Sequence, residues 1–265
     1  MKQLRRKING LRRSPKALGI VMFAGLLVVG TGYSTVSAAV SPDREVVRTQ
    51  EQIDLGKKIF LANCASCHGK NAEGTENGPN LIGVGEASVD FQVSTGRMPG
   101  AASGPQLEVK PVQFTEEDIA AMAAFIGSLG DGPSIPDAAY LQANGDPSAG
   151  GELFRINCAM CHNAAGAGGA LTQGKYAPHL MNSSAKTIYE AMVTGPQNMP
   201  VFNDANITPE QKNDIITYLT YVQNNDSVGG EELGSLGPVS EGLVAWFGLL
   251  GLLIIIAVWL AAKSN

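Results

Sequence analysis

Chemically distinctive residues are scarce in this 265-residue chain, and each shortage narrows what the protein can be. It has four cysteines, three histidines and two tryptophans. Aromatic residues make up only 6% of the sequence, too few for a large aromatic core. Alternating strand patterns are also rare, which argues against an all-β fold and against the βαβ setting of a redox dithiol. Charge is missing altogether from two stretches, Ala17 to Pro42 and Gly242 to Ala262. Between Val40 and Glu241, 11 Lys and Arg stand against all 24 Asp and Glu, a net charge of −13. So acidic a body argues against nucleic acid and anionic lipid as partners. It fits docking to a basic protein, and equally the plain solubility of an exported domain.

All four cysteines fall in two pentapeptides, Cys64-Ala65-Ser66-Cys67-His68 and Cys158-Ala159-Met160-Cys161-His162, 94 residues apart. C-x-x-C-H is the attachment sequence for covalently bound c-type haem. The two-residue gap puts both sulfurs on one side of a helical turn, where they reach neighbouring vinyl groups of one macrocycle. The adjacent histidine then turns back to the iron. A shared structural zinc would call for cysteine pairs roughly 15–20 residues apart. Two disulfides would not require a histidine after each pair. The expected cofactors are therefore two covalently bound haem c groups, attached at Cys64 and Cys67 and at Cys158 and Cys161.

The motifs sit inside an internal repeat. Gly56, Phe60 and Asn63 stand at the same distances before Cys64 as Gly150, Phe154 and Asn157 before Cys158. Downstream, Thr95-Gly96-Arg97-Met98-Pro99 corresponds to Thr194-Gly195-Pro196-Gln197-Asn198-Met199-Pro200. Phe114-Thr115-Glu116-Glu117-Asp118 likewise corresponds to Ile207-Thr208-Pro209-Glu210-Gln211. Each copy reads as a short all-α unit. Helices are expected before each motif, opened by a Thr49/Gln52 capping box and by Asp146-Pro147. Further helices are expected near 89–93 and 185–193, and at 116–129 and 209–223 behind Thr115 and Thr208.

His68 and His162 are the expected proximal iron ligands. A methionine on the opposite face favours electron transfer and raises the reduction potential. Met98 is preferred to Met122, which lies among alanines in a helix. In the second copy Met199 occupies the repeat position of Met98. It is preferred to Met160 between the cysteines, to Met181, to Met192 and to His179. A peroxidase would instead need an iron position open to peroxide.

The charge-free stretches place the protein at a membrane. The basic N-terminus followed by apolar residues is a signal peptide, with Val36-Ser37-Ala38 suited to cleavage, or a signal anchor that stays in the membrane. The C-terminal stretch is long enough for a transmembrane helix, with Trp246 and Trp259 towards its ends. Basic residues at both chain ends place them in the cytoplasm and the body outside. The expected division is 1–40 signal or anchor, 41–130 first domain, 131–226 linker and second domain, 227–240 linker, and 241–265 transmembrane helix with its cytoplasmic tail.

This order of parts resembles the diheme cytochrome c (cytochrome cc) subunit of the actinobacterial menaquinol–cytochrome c reductase, the cytochrome bcc complex. The resemblance implies an all-α fold of two tandem class I cytochrome c domains with a C-terminal anchor. It also implies a cytochrome b subunit and a Rieske iron–sulfur subunit as partners, and a haem–copper oxidase in a supercomplex at the cytoplasmic membrane. Electrons would enter at the first domain and leave from the second. The nearest alternative is a membrane-tethered diheme shuttle serving other oxidases or reductases. No bond-making chemistry is expected of the chain itself.

Overall fold

The computed structural model describes residues 19, 22–29, 48–101, 106–225 and 238–263, in two compact units, 1–47 and 48–265. In the first unit residues 22–29 are helical, with exposed apolar side chains such as Phe23 and Leu26. The candidate cleavage site at 36–38 lies outside the described residues.

In the second unit the repeat is visible element by element. Its first copy comprises α1 (Gln50–Asn63), α2 (Ala65–His68), α3 (Glu86–Ser94) and α4 (Glu116–Gly127). The second comprises α5 (Pro147–Asn157), α6 (Ala159–His162), α7 (Ala185–Thr194) and α8 (Pro209–Asn224). A two-residue hairpin of β1 (Gly169–Ala170) and β2 (Tyr176–Ala177) interrupts the second copy, Gly169 opposite Ala177. Capping chemistry explains the helix starts. The Thr49 hydroxyl accepts the Gln52 N–H, and Asp146 accepts from Ser148 and Ala149 with Pro147 in the first helical position. Thr115 with Asp118 and Thr208 with Gln211 form complete capping boxes. Each such cap is worth about 1 kcal/mol.

Within each copy the first and last helices cross closely. Gly56 lies on α1 against the Ala121 carbonyl, and Gly150 lies on α5 against the Asp214 carbonyl; a Cβ at either position would run into that backbone. Beside the crossing, the buried Phe60 meets Phe125 at 5.4 Å between ring centres, and the buried Phe154 meets Tyr218 at 5.6 Å. The aromatic shortage is thus met by one pair at the same place in each copy.

The segment joining the copies is tied down at both ends. Ala87 N–H donates to the Pro133 carbonyl at 3.0 Å on the first copy. A 3₁₀ turn, Ala138–Leu141, packs on the second, where Asn213 donates to the Tyr140 carbonyl at 2.8 Å. The copies also meet directly, because α3 packs on α7.

At the C-terminus α9 (Pro238–Val244), a π-helical turn (Ala245–Leu250) and α10 (Gly251–Lys263) run on continuously. From Ser240 to Lys263 this makes one helix long and apolar enough to cross a membrane, with no residue of its apolar stretch buried. Lys263 lies over the Trp259 ring at 5.0 Å.

Candidate functional site

Each C-x-x-C-H motif is a break between two helices made the same way. The Cys64 N–H closes α1 on the Phe60 carbonyl and the Cys158 N–H closes α5 on Phe154, each at 2.8 Å. One tight turn follows, in which His68 donates its amide to the Cys64 carbonyl at 3.0 Å and His162 to that of Cys158 at 2.9 Å. The next residue takes a positive φ in each copy, 81° at Gly69 and 66° at Asn163, which turns the chain away from the helix. With ψ near 160° in both, this is a conformation glycine adopts freely and asparagine only under strain. None of the four cysteines is paired in a disulfide. Burial, and then the neighbouring thiol, push Cys64 and Cys158 up to about 11, so they stay protonated at neutral pH.

The histidines are buried and held by one ring nitrogen. His68 Nδ1 is 2.8 Å from the Pro79 carbonyl and His162 Nδ1 is 3.0 Å from that of Pro178. A carbonyl can only accept, so Nδ1 carries the proton and Nε2 keeps its lone pair for a metal. Burial lowers the His162 pKa, partly opposed by the Pro178 bond, which favours the neutral ring that ligation requires. Pro79 and Pro178 did not stand out in the sequence. Their signal is the match of Pro79-Asn80-Leu81 to Pro178-His179-Leu180 at a common spacing of 99 residues.

The same match explains His179. Asn80 Oδ1 accepts the Ile82 N–H at 2.8 Å, and His179 Nδ1 accepts the Met181 N–H at 3.1 Å. His179 is an exposed loop residue holding its own turn, the role asparagine fills in the first copy.

The methionine loops return to the same apolar clusters as the first cysteines. Met98 and Cys64 pack against Val93, Ile119 and Met122. Met199 and Cys158 pack against the cluster containing Phe154, Met192, Ile215 and Leu219, as does Met181. Met122 and Met192 are buried within helices, whereas Met160 points outward, 93% exposed. Each loop is tied to the helix before it. The Met98 N–H donates to the Gln92 carbonyl at 2.9 Å, and the Phe202 N–H to the Met192 carbonyl at 2.7 Å. Gly96, at φ 72°, lies against the Lys110 carbonyl where no side chain would fit.

The loops of the two copies also bond to each other. Gln106 donates to the Tyr176 carbonyl at 2.9 Å and accepts the Tyr176 N–H at 2.8 Å. Gln197 accepts the Leu107 N–H at 3.2 Å. The residues present thus fit haem c: two cysteines on one turn, a buried imidazole with Nε2 available, and a thioether loop meeting the first cysteine on one apolar cluster.

A family model for cytochrome c matches residues 53–130, and one for cytochrome c oxidase, cbb3-type, subunit III matches residues 145–219. Over the whole chain the similarity is to proteins named cytochrome bc1 complex cytochrome c subunit. The one from Corynebacterium efficiens is 38% identical, covering 98% of this chain and 94% of that protein. That from Mycobacterium tuberculosis is 39% identical over 99% and 94%, and that from Mycobacterium leprae 42% over 90% and 86%.

Proposed function

The chain belongs to the family of cytochrome bc1 complex cytochrome c subunits, and from that premise we propose that it is the diheme electron-transfer arm of a respiratory quinol–cytochrome c reductase. Haem c, when bound, supplies reversible one-electron carriage. The chain's own residues supply placement. Cys64 and Cys67 would hold one macrocycle by thioether bonds, and Cys158 and Cys161 the other. His68 and His162 would be the histidine ligands to the irons, each oriented by the prolyl carbonyl at its Nδ1. Met98 and Met199 would supply thioether ligands to the two irons and so keep water or peroxide from them.

Electrons would arrive from a Rieske iron–sulfur subunit oxidising menaquinol at cytochrome b, enter at the first domain and leave from the second to a haem–copper oxidase. The helix Ser240–Lys263 anchors the chain in the cytoplasmic membrane, with both haem domains outside and the C-terminus inside. The acidic body would steer a basic partner face to this arm.

The near full-length similarity carries this reading; the two matching C-x-x-C-H sites supply its chemistry. Purification in mild detergent tests it. Cytochrome b and a Rieske protein should co-purify, and a reduced-minus-oxidised spectrum should report two haems c per chain. Recovery of the chain free of cytochrome b would overturn the reading. It would favour the tethered shuttle, an alternative supported by the likeness of residues 145–219 to an oxidase subunit.

A further inference from the structure

Where α3 packs on α7, two acids are enclosed between the copies beside one half-exposed base. Asp90 on α3 is 4% exposed and Glu190 on α7 is 1% exposed. Lys186, one turn before Glu190, forms an ion pair with Asp90 and lies 4.0 Å from Glu190 Oε1. Glu190 Oε1 and Asp90 Oδ2 are both buried, and Asp90 Oδ2 is the oxygen that meets the Lys186 ammonium. One ammonium cannot balance two buried carboxylates, so a proton must supply the difference. Burial, and then the hydrogen bond and charge of Asp90, push Glu190 up to about 10, with Lys186 opposing.

Among the described residues no other cation serves the pair. On α3, Glu86 is engaged by Arg48, and Arg97 lies over the Phe91 ring at 4.9 Å. On the far side of α7, Lys212 of α8 is bound to Asp204 and faces Tyr189, on which Tyr140 of the 3₁₀ turn stacks. The buried residues of α4, which packs on α3, are uncharged.

The position of the pair relates it to both methionine loops. Two residues beyond Asp90, the Gln92 carbonyl holds the Met98 amide; two residues beyond Glu190, the Met192 carbonyl holds the Phe202 amide. We propose that Asp90 and Glu190 form a redox-linked proton site between the two haem domains, binding a proton from solvent when an electron enters either domain and releasing it when the electron leaves. The electron comes from the respiratory donor and converts iron(III) to iron(II). The proton converts carboxylate to carboxylic acid, and no other bond is made or broken. Iron(III) haem carries a net positive charge that iron(II) haem lacks, so oxidation lowers the pair's proton affinity and reduction restores it.

The test is a spectroelectrochemical titration of the purified full chain from about pH 6 to about pH 10, around and above the ordinary range of a histidine switch. Haem midpoint potentials should fall as pH rises through the alkaline part of that range. The limit is tenfold in the reduction equilibrium per pH unit for one electron, or 59 mV. Glu190→Gln should abolish the Asp90–Glu190 part of that slope. Lys186→Met, at a half-exposed position, should move the slope to higher pH because the opposing cation is gone. Redox-difference infrared spectra should show a protonated-carboxyl band that changes with haem oxidation state in the unaltered protein and is missing in Glu190→Gln. Slopes unchanged in both variants, or no slope in the unaltered chain, would overturn the proposal. The inference rests on haem in both domains, which a haem-to-chain ratio of two checks separately. It stands even if the chain purifies without cytochrome b.

Discussion

Replacing Glu190 by glutamine should flatten the dependence of folding stability on pH. In the unfolded chain this carboxyl ionises near 4.5, whereas in the folded protein it keeps its proton to about 10. Below 4.5 both states are protonated and stability is whole. Above it only the unfolded state ionises, so stability falls by about 1.4 kcal/mol per pH unit until the folded carboxyl also ionises. At neutral pH the accumulated loss is about 3 kcal/mol, a large share of a typical folding free energy. Glutamine matches the shape of the protonated acid and never ionises, so the variant escapes this loss. Urea unfolding of the full haem-bearing chain, followed by circular dichroism, would measure both curves. The variant should gain on the unaltered protein with each step towards alkaline pH. Parallel curves would refute the reasoning, because they would mean that Glu190 ionises alike in the folded and unfolded states.

Gly150→Ala should cost about 1–3 kcal/mol in thermal or chemical denaturation, since its methyl group meets the Asp214 carbonyl and the helices must part. Gln106→Ala removes both bonds to Tyr176 and should accelerate hydrogen exchange at the Tyr176 amide, with a stability loss of about 1–2 kcal/mol. Met199→Leu should abolish the sulfur-to-iron charge-transfer band of the second domain and leave that of the first, as read by difference spectroscopy. An unchanged band would transfer the ligand role to another residue.

The helices were largely legible because their signals are local. Thr115 and Thr208 cap where their sequences suggest, and the expected bounds of 116–129 and 209–223 meet the observed helices within two residues. Helix α3 begins earlier than the expected 89–93, at Glu86 behind Gly85. Gly85 offers no capping side chain, and Glu86 is buried only because Arg48 reaches it from 38 residues away. Motif spacing exposed the thiols and histidines, yet not the carbonyls of Pro79 and Pro178, since a backbone acceptor leaves no mark of its own in side-chain chemistry. Nothing in the sequence separates Asp90, Lys186 and Glu190 from ordinary helix-surface charges. What buries the two acids is the other copy, and periodicity within one helix carries no information about a partner helix. Lys212 is a similar case. It stands where the first copy has Ile119, but is wholly buried because Asp204 and the Ile207 carbonyl meet its ammonium.

The bonds of Gln106 to Tyr176 and of Gln197 to Leu107 bear on how the connecting segment can change. Two carriers on a loose tether exchange electrons at a rate set by effective concentration, which falls as the tether lengthens. Here the contact is made by the loops themselves, so the spacing of the two C-x-x-C-H domains is decoupled from the length of chain between them. Residues inserted near Asn144, beyond the 3₁₀ turn and before Asp146, would enlarge a surface loop and leave the transfer distance where α3, α7 and these two glutamines set it.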